Sequence, residues 1–280
     1  MRTIDINIIV EVIKNGFIKA NYILPEDITG SIKNAYSKEH FEPAKSMLNV
    51  ICENISIASQ MEYPLCQDTG MAVVFCEIGQ DIHITNGLLT DAINRGVEAA
   101  YKDGYLRKSV VADPLRRVNT GNNTPAVIHT EIVSGDSITF YLLPKGFGAE
   151  NQSAIRMFVP SDTYDDIVSF IANGVIKSGG KGCPPSVIGV GIGGTFEYAA
   201  YLSKKALLRD INNSNPDPFY EKMENDILQQ INRSGIGTMG AGGDTTVLGV
   251  NILTYPTHIA GLPVAYNYCC HSARHTKIII

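Results

Sequence analysis

Three cysteines stand where a thiol can work rather than merely pack. Cys66 lies in Pro64-Leu-Cys66-Gln67-Asp68-Thr69-Gly70, directly before an apolar strand-like run, so its sulfur sits in a turn with an amide and a carboxylate beside it. Cys183 lies between Gly179-Gly-Lys-Gly182 and Pro184-Pro185, where glycine flexibility on one side and proline rigidity on the other fix a thiol at a loop. Cys269 and Cys270 follow the run LPVAYNY, and side chains alternate along a strand, so one of the two is presented to any given site. Cys52, in a helical apolar stripe, and Cys76, within a strand, read as small core hydrophobes. Three thiolates from distant loops can hold zinc or an iron-sulfur cluster, although no CxxC pair supplies a compact zinc spacing.

Histidines divide in the same way. His258, in Tyr255-Pro-Thr-His258, falls between two apolar runs and twelve residues before Cys270, so a short loop is expected to bring it towards the same site; an ordinary satisfied loop histidine is the alternative. His40, His83 and His129 show no partner in the sequence and read as structural, while His271 and His275 flank Arg274 beside the last cysteines. A competing chemistry comes from Gly189-Val-Gly191-Ile-Gly193-Gly194, which satisfies GxGxxG after an apolar run and before a helix, with Asp210 near the spacing of a ribose-binding acid. That fingerprint needs the acid at the end of a second strand. Asp210 instead closes the expected helix Thr195 to Asp210 and precedes the polar loop NNSNPDP, which disfavours a nucleotide-binding module.

The elements that must position these groups follow from periodicity. Apolar residues at Ile6, Ile9, Val10, Ile13, Phe17 and Ile18 give an amphipathic helix, Pro25 with Glu26 and Asp27 suits the first turn of a second, and Ala44 to Met61 gives a third. MAVVFCEIG, PAVIHTEIV and SITFYLLP then read as strands, the last two joined as a hairpin by Ser134, Gly135 and Asp136. Leu88 to Asp103, Tyr164 to Ser178 and Pro218 to Arg233 read as helices, and SVIGVG, TTVLGVNIL and LPVAYNY as buried strands. The expected fold is α+β: a helical N-terminal segment over about residues 1–62, then a mixed sheet with helices over about 63–280, forming one catalytic domain.

Composition closes off several classes. With 44% hydrophobic and 18% charged residues, the chain is globular rather than disordered. Lys plus Arg total 23 against 28 Asp plus Glu, which leaves no basic excess for tracking nucleic acid. No apolar run reaches the roughly 18 to 20 residues that cross a bilayer, and the amino terminus lacks the pattern of a signal peptide. A cytoplasmic protein with reduced thiols, no membrane partner and no nucleic-acid partner is expected.

Taken together, Cys66-Gln-Asp-Thr-Gly70, Asn119-Thr-Gly121, Lys145-Gly-Phe-Gly148, Gly182-Cys-Pro-Pro-Ser-Val-Ile-Gly-Val-Gly-Ile-Gly-Gly194, Asp244-Thr-Thr246, Tyr255-Pro-Thr-His258 and Cys270-His-Ser-Ala-Arg274 resemble the alpha part of class I fumarases and L-tartrate dehydratases. The resemblance runs from about Asn7 to the end. It implies an oxygen-sensitive 4Fe-4S cluster held by only three cysteines, here Cys66, Cys183 and Cys270, with one iron open to substrate as a Lewis acid. It further implies a small dicarboxylate substrate, fumarate and malate first and tartrate second. Asp68 and His258 become the candidates for hydroxyl and proton chemistry, and Gln67, Arg107 and the loop of Gly146 and Gly148 for binding a substrate carboxylate. Relatives often carry tryptophan where His271 stands. They also possess a beta part, which implies a separate beta subunit here in an α2β2 heterotetramer, covering the cluster face and the apolar tail KIII; an edge strand is the other reading of that tail.

Overall fold

The computed structural model describes residues 2–280 and shows a mixed α+β fold. In chain order the elements are β1 (Arg2–Asp5), α1 (Ile6–Tyr22), α2 (Glu26–Lys38), α3 (Glu42–Met61), β2 (Met71–Gly79), β3 (Ile82–Thr85), α4 (Leu89–Asp103), β4 (Val127–Val133), β5 (Ile138–Lys145), α5 (Phe147–Glu150), β6 (Ala154–Phe158), α6 (Tyr164–Ser178), β7 (Ser186–Gly193), α7 (Phe196–Ala206), α8 (Pro218–Asn232), β8 (Val247–Tyr255), β9 (Leu262–Cys269) and β10 (Thr276–Ile279). Packing divides them into two compact units. The first takes the chain up to Pro25, Ile55–Phe147 and Arg274–Ile280; the second takes Glu26–Asn54 and Gly148–Ala273. The expected helical segment of residues 1–62 is divided between these units, since Glu26–Asn54 groups with the second. Among the described residues no helix is long and apolar enough to cross a membrane.

In the first unit α1 starts where the Asp5 side chain accepts a hydrogen bond from Asn7 N at 2.7 Å. Its stripe of Ile6, Ile9, Ile13 and Phe17 is buried, and each such side chain contributes roughly 1.5–3 kcal/mol when fully removed from water. α4 lies against it through Gly96, where any Cβ would collide with Ile13 and the Val10 carbonyl. Both helices share a core with a four-stranded sheet ordered β10-β5-β2-β4.

This order corrects the expected hairpin. β4 and β5 are not neighbours: β2 lies between them, parallel to β4 and antiparallel to β5. The run MAVVFC is buried from Ala72 to Cys76 and takes the centre, whereas β4 has no buried residue and takes an edge. Residues 134–136 thus cross the end of β2, where Gln80 N donates to Val133 O at 2.7 Å and Asp81 N to Gly135 O at 3.0 Å. The apolar tail forms the other edge, with Thr276 opposite Leu142 and Ile278 packed on the core.

The second unit is built on a sheet ordered β6-β9-β7-β8, in which β7 is parallel to β8 and antiparallel to β9. Ile188, Val190 and Ile192 point from β7 into the core made with α6 and α8. The opposite face carries Gly189 and Gly191, where a Cβ would run into Ser203 O and Ala199 O of α7. Two residues along a strand advance about 6.6 Å and four along a helix about 6 Å, so two alternate glycines match two successive turns of α7 and let its backbone lie on the strand. α7 ends at Ala206, short of Asp210, which lies in the following turn and accepts from Asn212 N at 2.8 Å.

Candidate active site

In the first unit the CQDTG segment forms a turn that is held from beneath by buried polar side chains. Arg274, only 1% exposed, donates from Nη2 to the Asp68 carbonyl at 2.7 Å and from Nη1 to Asn21 Oδ1 at 2.9 Å. Tyr101 donates its single hydroxyl proton to the Thr69 or Gly70 carbonyl, at 2.7 and 2.8 Å. Burial pushes that phenol well above its ordinary range, with the nearby Arg274 charge opposing, so Tyr101 remains a donor. Asn123 adds a bond from Nδ2 to Gly70 O at 3.2 Å. Gly70 itself has φ +81°, and a Cβ there would strike the backbone of Pro144 and Lys145.

The Asp68 carboxylate is fixed by two main-chain donors, Gly70 N on Oδ1 at 3.0 Å and Phe147 N on Oδ2 at 2.8 Å. It lines a cavity of about 330 Å³ together with Gly70, Met71, Arg107, Ser109, Val110, Val111, Arg117 and Phe147. Thr69 ties Arg107 to the turn, its hydroxyl donating to Arg107 O at 3.1 Å. Cys66 is half-buried and Gln67 exposed at the start of the same turn. The Lys145-Gly-Phe-Gly148 loop reaches Asp68 as well: a Cβ on Gly146 would stand 3.2 Å from Asp68 Oδ2. The resemblance implied this loop as a binder of a substrate carboxylate; in the structure its Phe147 amide donates to the carboxylate of Asp68. Gly148 falls in the second unit.

There, two thiols share one end of the sheet. Cys183 precedes β7 and Cys270 follows β9, and because these strands run antiparallel with Val187 opposite Cys269, both loops emerge together. His271 locks them: its main-chain N–H donates to the Cys183 carbonyl at 3.2 Å and its ring Nδ1 to the same oxygen at 3.1 Å. A carbonyl only accepts, so Nδ1 carries a proton. Cys183 is exposed and held at φ +54°, a left-handed conformation that non-glycine residues adopt at a cost and that concentrates at functional sites. Tyr268 lies beside both thiols. Burial raises its phenol, a hydrogen bond with Ser186 opposes this, and the charges of Cys270 and Cys183 add to the rise. Gly182 sits on the ring so closely that no side chain fits.

Of the remaining cysteines, Cys269 is buried behind Cys270, and Cys76 is buried in β2 with its thiol pushed up to about 12 by desolvation. Cys52 is half-buried on α3, and desolvation raises it too. Among the described residues no three His, Cys, Asp or Glu side chains gather as a single metal ion requires. The two loop thiols that share this end of the sheet, Cys183 and Cys270, are sulfur donors. That is the chemistry that suits iron-sulfur clusters.

Two expectations fail on position. His258 does not approach Cys270 within the chain. It lies in the exposed loop before β9, where its Nδ1 accepts from Ala260 N at 3.1 Å, and the whole of β9 separates it from Cys270. Eight strand residues at about 3.3 Å each put the two more than roughly 20 Å apart. The connection is short in sequence, but a strand converts those residues into distance. The GxGxxG run likewise gives no phosphate loop, since Gly189 and Gly191 lie inside β7 against α7 instead of at a helix amino terminus. Nor is His40 without a partner: its ring stands 2.8 Å from the Asp244 carboxylate. His129 stacks on Phe75 at 5.0 Å. Sequence reasoning missed Tyr101, Asn21 and Asn123, which show no chemical spacing of their own, and Arg117, hidden in a polar loop; Arg274 stood in the Cys270-His-Ser-Ala-Arg274 motif without the supporting role the structure gives it.

The sequence profile of the family described as Fumarate hydratase (Fumerase) matches residues 10–279. The chain belongs to this family. It is a hydro-lyase of the class I fumarase type. Similar proteins include a provisionally named L(+)-tartrate dehydratase subunit alpha of Methanocaldococcus jannaschii, 40% identical over 94% of this chain and 94% of its own. The L(+)-tartrate dehydratase subunit alpha of Escherichia coli K12 is 28% identical over 98% of this chain and 91% of its own. That of Shigella sonnei shows the same identity and coverage.

Proposed function

We propose that this chain is the alpha subunit of an iron-sulfur hydro-lyase that interconverts fumarate and malate, working with a separate beta subunit in an α2β2 assembly. The observation that carries the reading is the carboxylate of Asp68, pinned by two amides in a cavity that also presents Arg107. The relatives' designation as alpha subunits supports the partner. Cys66, Cys183 and Cys270 would hold a 4Fe-4S cluster, which when bound supplies an open iron as Lewis acid for the leaving hydroxyl. We place the enzyme in the cytoplasm, where its six free cysteines stay reduced.

The chain's own residues supply recognition and proton handling. Arg107 presents a planar fork of donors suited to a substrate carboxylate, with Gln67 and the loop of Gly146 and Gly148 closing around the same end. Asp68 is the proton carrier: each oxygen receives one amide bond, which fixes its direction while leaving lone pairs for a substrate hydroxyl or water. His258 stays the second candidate for proton handling, standing within the chain at the end of β9 away from Cys270.

Tartrate dehydration is the second reading, favoured by the names of the relatives. The test is anaerobic reconstitution of the co-expressed pair, followed by iron and sulfide analysis and steady-state rates on malate, fumarate and tartrate. About four irons and four sulfides per alpha chain with kcat/KM highest for malate and fumarate support the first reading. Highest kcat/KM for tartrate selects the second. A colourless pair that retains zinc overturns both.

A further inference from the structure

We propose that Arg117 is a second carboxylate-binding residue of this site, one that reads the far end of a dicarboxylate. The inference rests on the hydro-lyase reading above and adds a residue to it. The cavity of about 330 Å³ has a size suited to a small metabolite, and its walls carry two guanidinium groups, Arg107 and Arg117, against one carboxylate, Asp68. Among the described residues neither arginine pairs with an acid. Among the same residues the Arg107 side chain makes no hydrogen bond, and Arg117 reaches only the Pro114 carbonyl of its own loop, at a long 3.5 Å. A positive excess in a small cavity with its forks uncommitted matches a ligand with two negative ends.

The loop is built to hold Arg117 there. Val111 bridges Asn119, with Ala112 N donating to Val118 O at 2.7 Å and Thr120 N to Val110 O at 2.9 Å, which makes residues 110–120 a small hairpin. At its tip Asp113 Oδ1 accepts from Leu115 N at 3.0 Å and Arg116 N at 2.6 Å, and Asp113 O accepts from Arg117 N at 3.0 Å. This single turn ends with Arg117 at φ +61°, an arginine in a conformation that usually falls to glycine. The foot of the hairpin is tied to the Asp68 turn by Asn123, whose Oδ1 accepts from Ser109 N at 2.7 Å and whose Nδ2 donates to Gly70 O at 3.2 Å. Arg107 is bonded through its carbonyl to Thr69 in the Asp68 turn, whereas Arg117 follows the tip of the hairpin; the proposal therefore assigns Arg107 to the carboxylate nearer Asp68 and Arg117 to the farther one.

The experiment uses the reconstituted pair with Arg117→Gln, Arg117→Lys and the unaltered chain, each checked for thermal stability and iron content. Malate kinetics are measured together with inhibition by succinate, which has two carboxylates, and by butyrate, which has one. We expect Arg117→Gln to raise the malate KM and the succinate inhibition constant about tenfold or more, with a smaller change in kcat and no change for butyrate. Arg117→Lys should recover part of the loss, because it keeps the charge without the fork. If succinate and butyrate weaken equally, or neither weakens, the role assigned to Arg117 is overturned while the hydro-lyase reading stands. If the unaltered pair neither turns over malate or tartrate nor responds to succinate, the hydro-lyase reading falls and Arg117 with it.

Discussion

The two units hold their reactive groups by opposite means. In the first, the Asp68 turn rests on side chains: the guanidinium of Arg274, the phenol of Tyr101 and the amide of Asn123 are buried beneath it and donate to its carbonyls, and Asn21 Oδ1 accepts from the same guanidinium. In the second, the thiol turns rest on backbone and on missing side chains. The Cys183 carbonyl accepts from His271, Met239 N donates to Pro184 O at 2.8 Å, and Gly182 makes room for Tyr268. The carboxylate proposed to carry a proton in a set direction needs a rigid frame, which a buried polar network supplies. Thiols that bind a metal centre are oriented in part by the centre itself, so close packing of loops suffices.

This contrast predicts different failure modes. The largest effect is on metal content: Cys183→Ser or Cys270→Ser should reduce iron and sulfide of the reconstituted pair to background, whereas Cys76→Ser, deep in β2, should leave them unchanged. The reverse pattern would move the ligands to another part of the molecule. Next, Arg274→Met should strip the Asp68 turn of its support. Two buried acceptors lose their donor at about 1–3 kcal/mol each, so urea unfolding should register roughly 2–6 kcal/mol and the rate on malate should fall with it. A loss below about 1 kcal/mol would mean that the polar network is not what holds the turn.

Smaller, and confined to the second unit, is Gly191→Ala, which pushes a methyl group into Ala199 O and Ser203 N of α7. Overpacking of this kind costs about 1–3 kcal/mol, readable as a lower thermal midpoint, and the variant and its parent should bind NAD equally poorly. NAD affinity lost on this substitution would restore the nucleotide-loop reading. The smallest effect is Tyr101→Phe, which removes one hydrogen bond from beneath Thr69 and Gly70 for about 1 kcal/mol in the same unfolding assay.

Much of the architecture is legible in the residues because periodicity is local. α1, α4, α6 and α8 lie within a residue or two of where their apolar spacing puts them, as do β2, β5, β7 and β9. What the pattern cannot express is which strand takes the centre of a sheet. β4 and β5 carry a hairpin-like junction, yet β2 displaces β4 from β5 because its run from Ala72 to Cys76 can be buried on both sides. The site divides along the same line. Cys66, Asp68 and Cys183 announce themselves by turn residues around a reactive side chain. Arg274 and Tyr101 are an ordinary arginine and tyrosine until the fold places them under the turn. His258 shows the hazard in the other direction, since closeness in sequence becomes separation once a strand intervenes.

One further consequence lies in the last stretch of the chain. Arg274 and β10 belong to the unit begun by β1 and α1, although the whole of Gly148–Ala273 comes between them in sequence. During vectorial synthesis the second unit has nearly all of its residues before the first has its edge strand or the guanidinium beneath Asp68. The carboxylate proposed to carry the proton is thus among the last groups to acquire its frame, and nascent chains arrested before residue 274 should carry a formed thiol end with an unformed Asp68 turn.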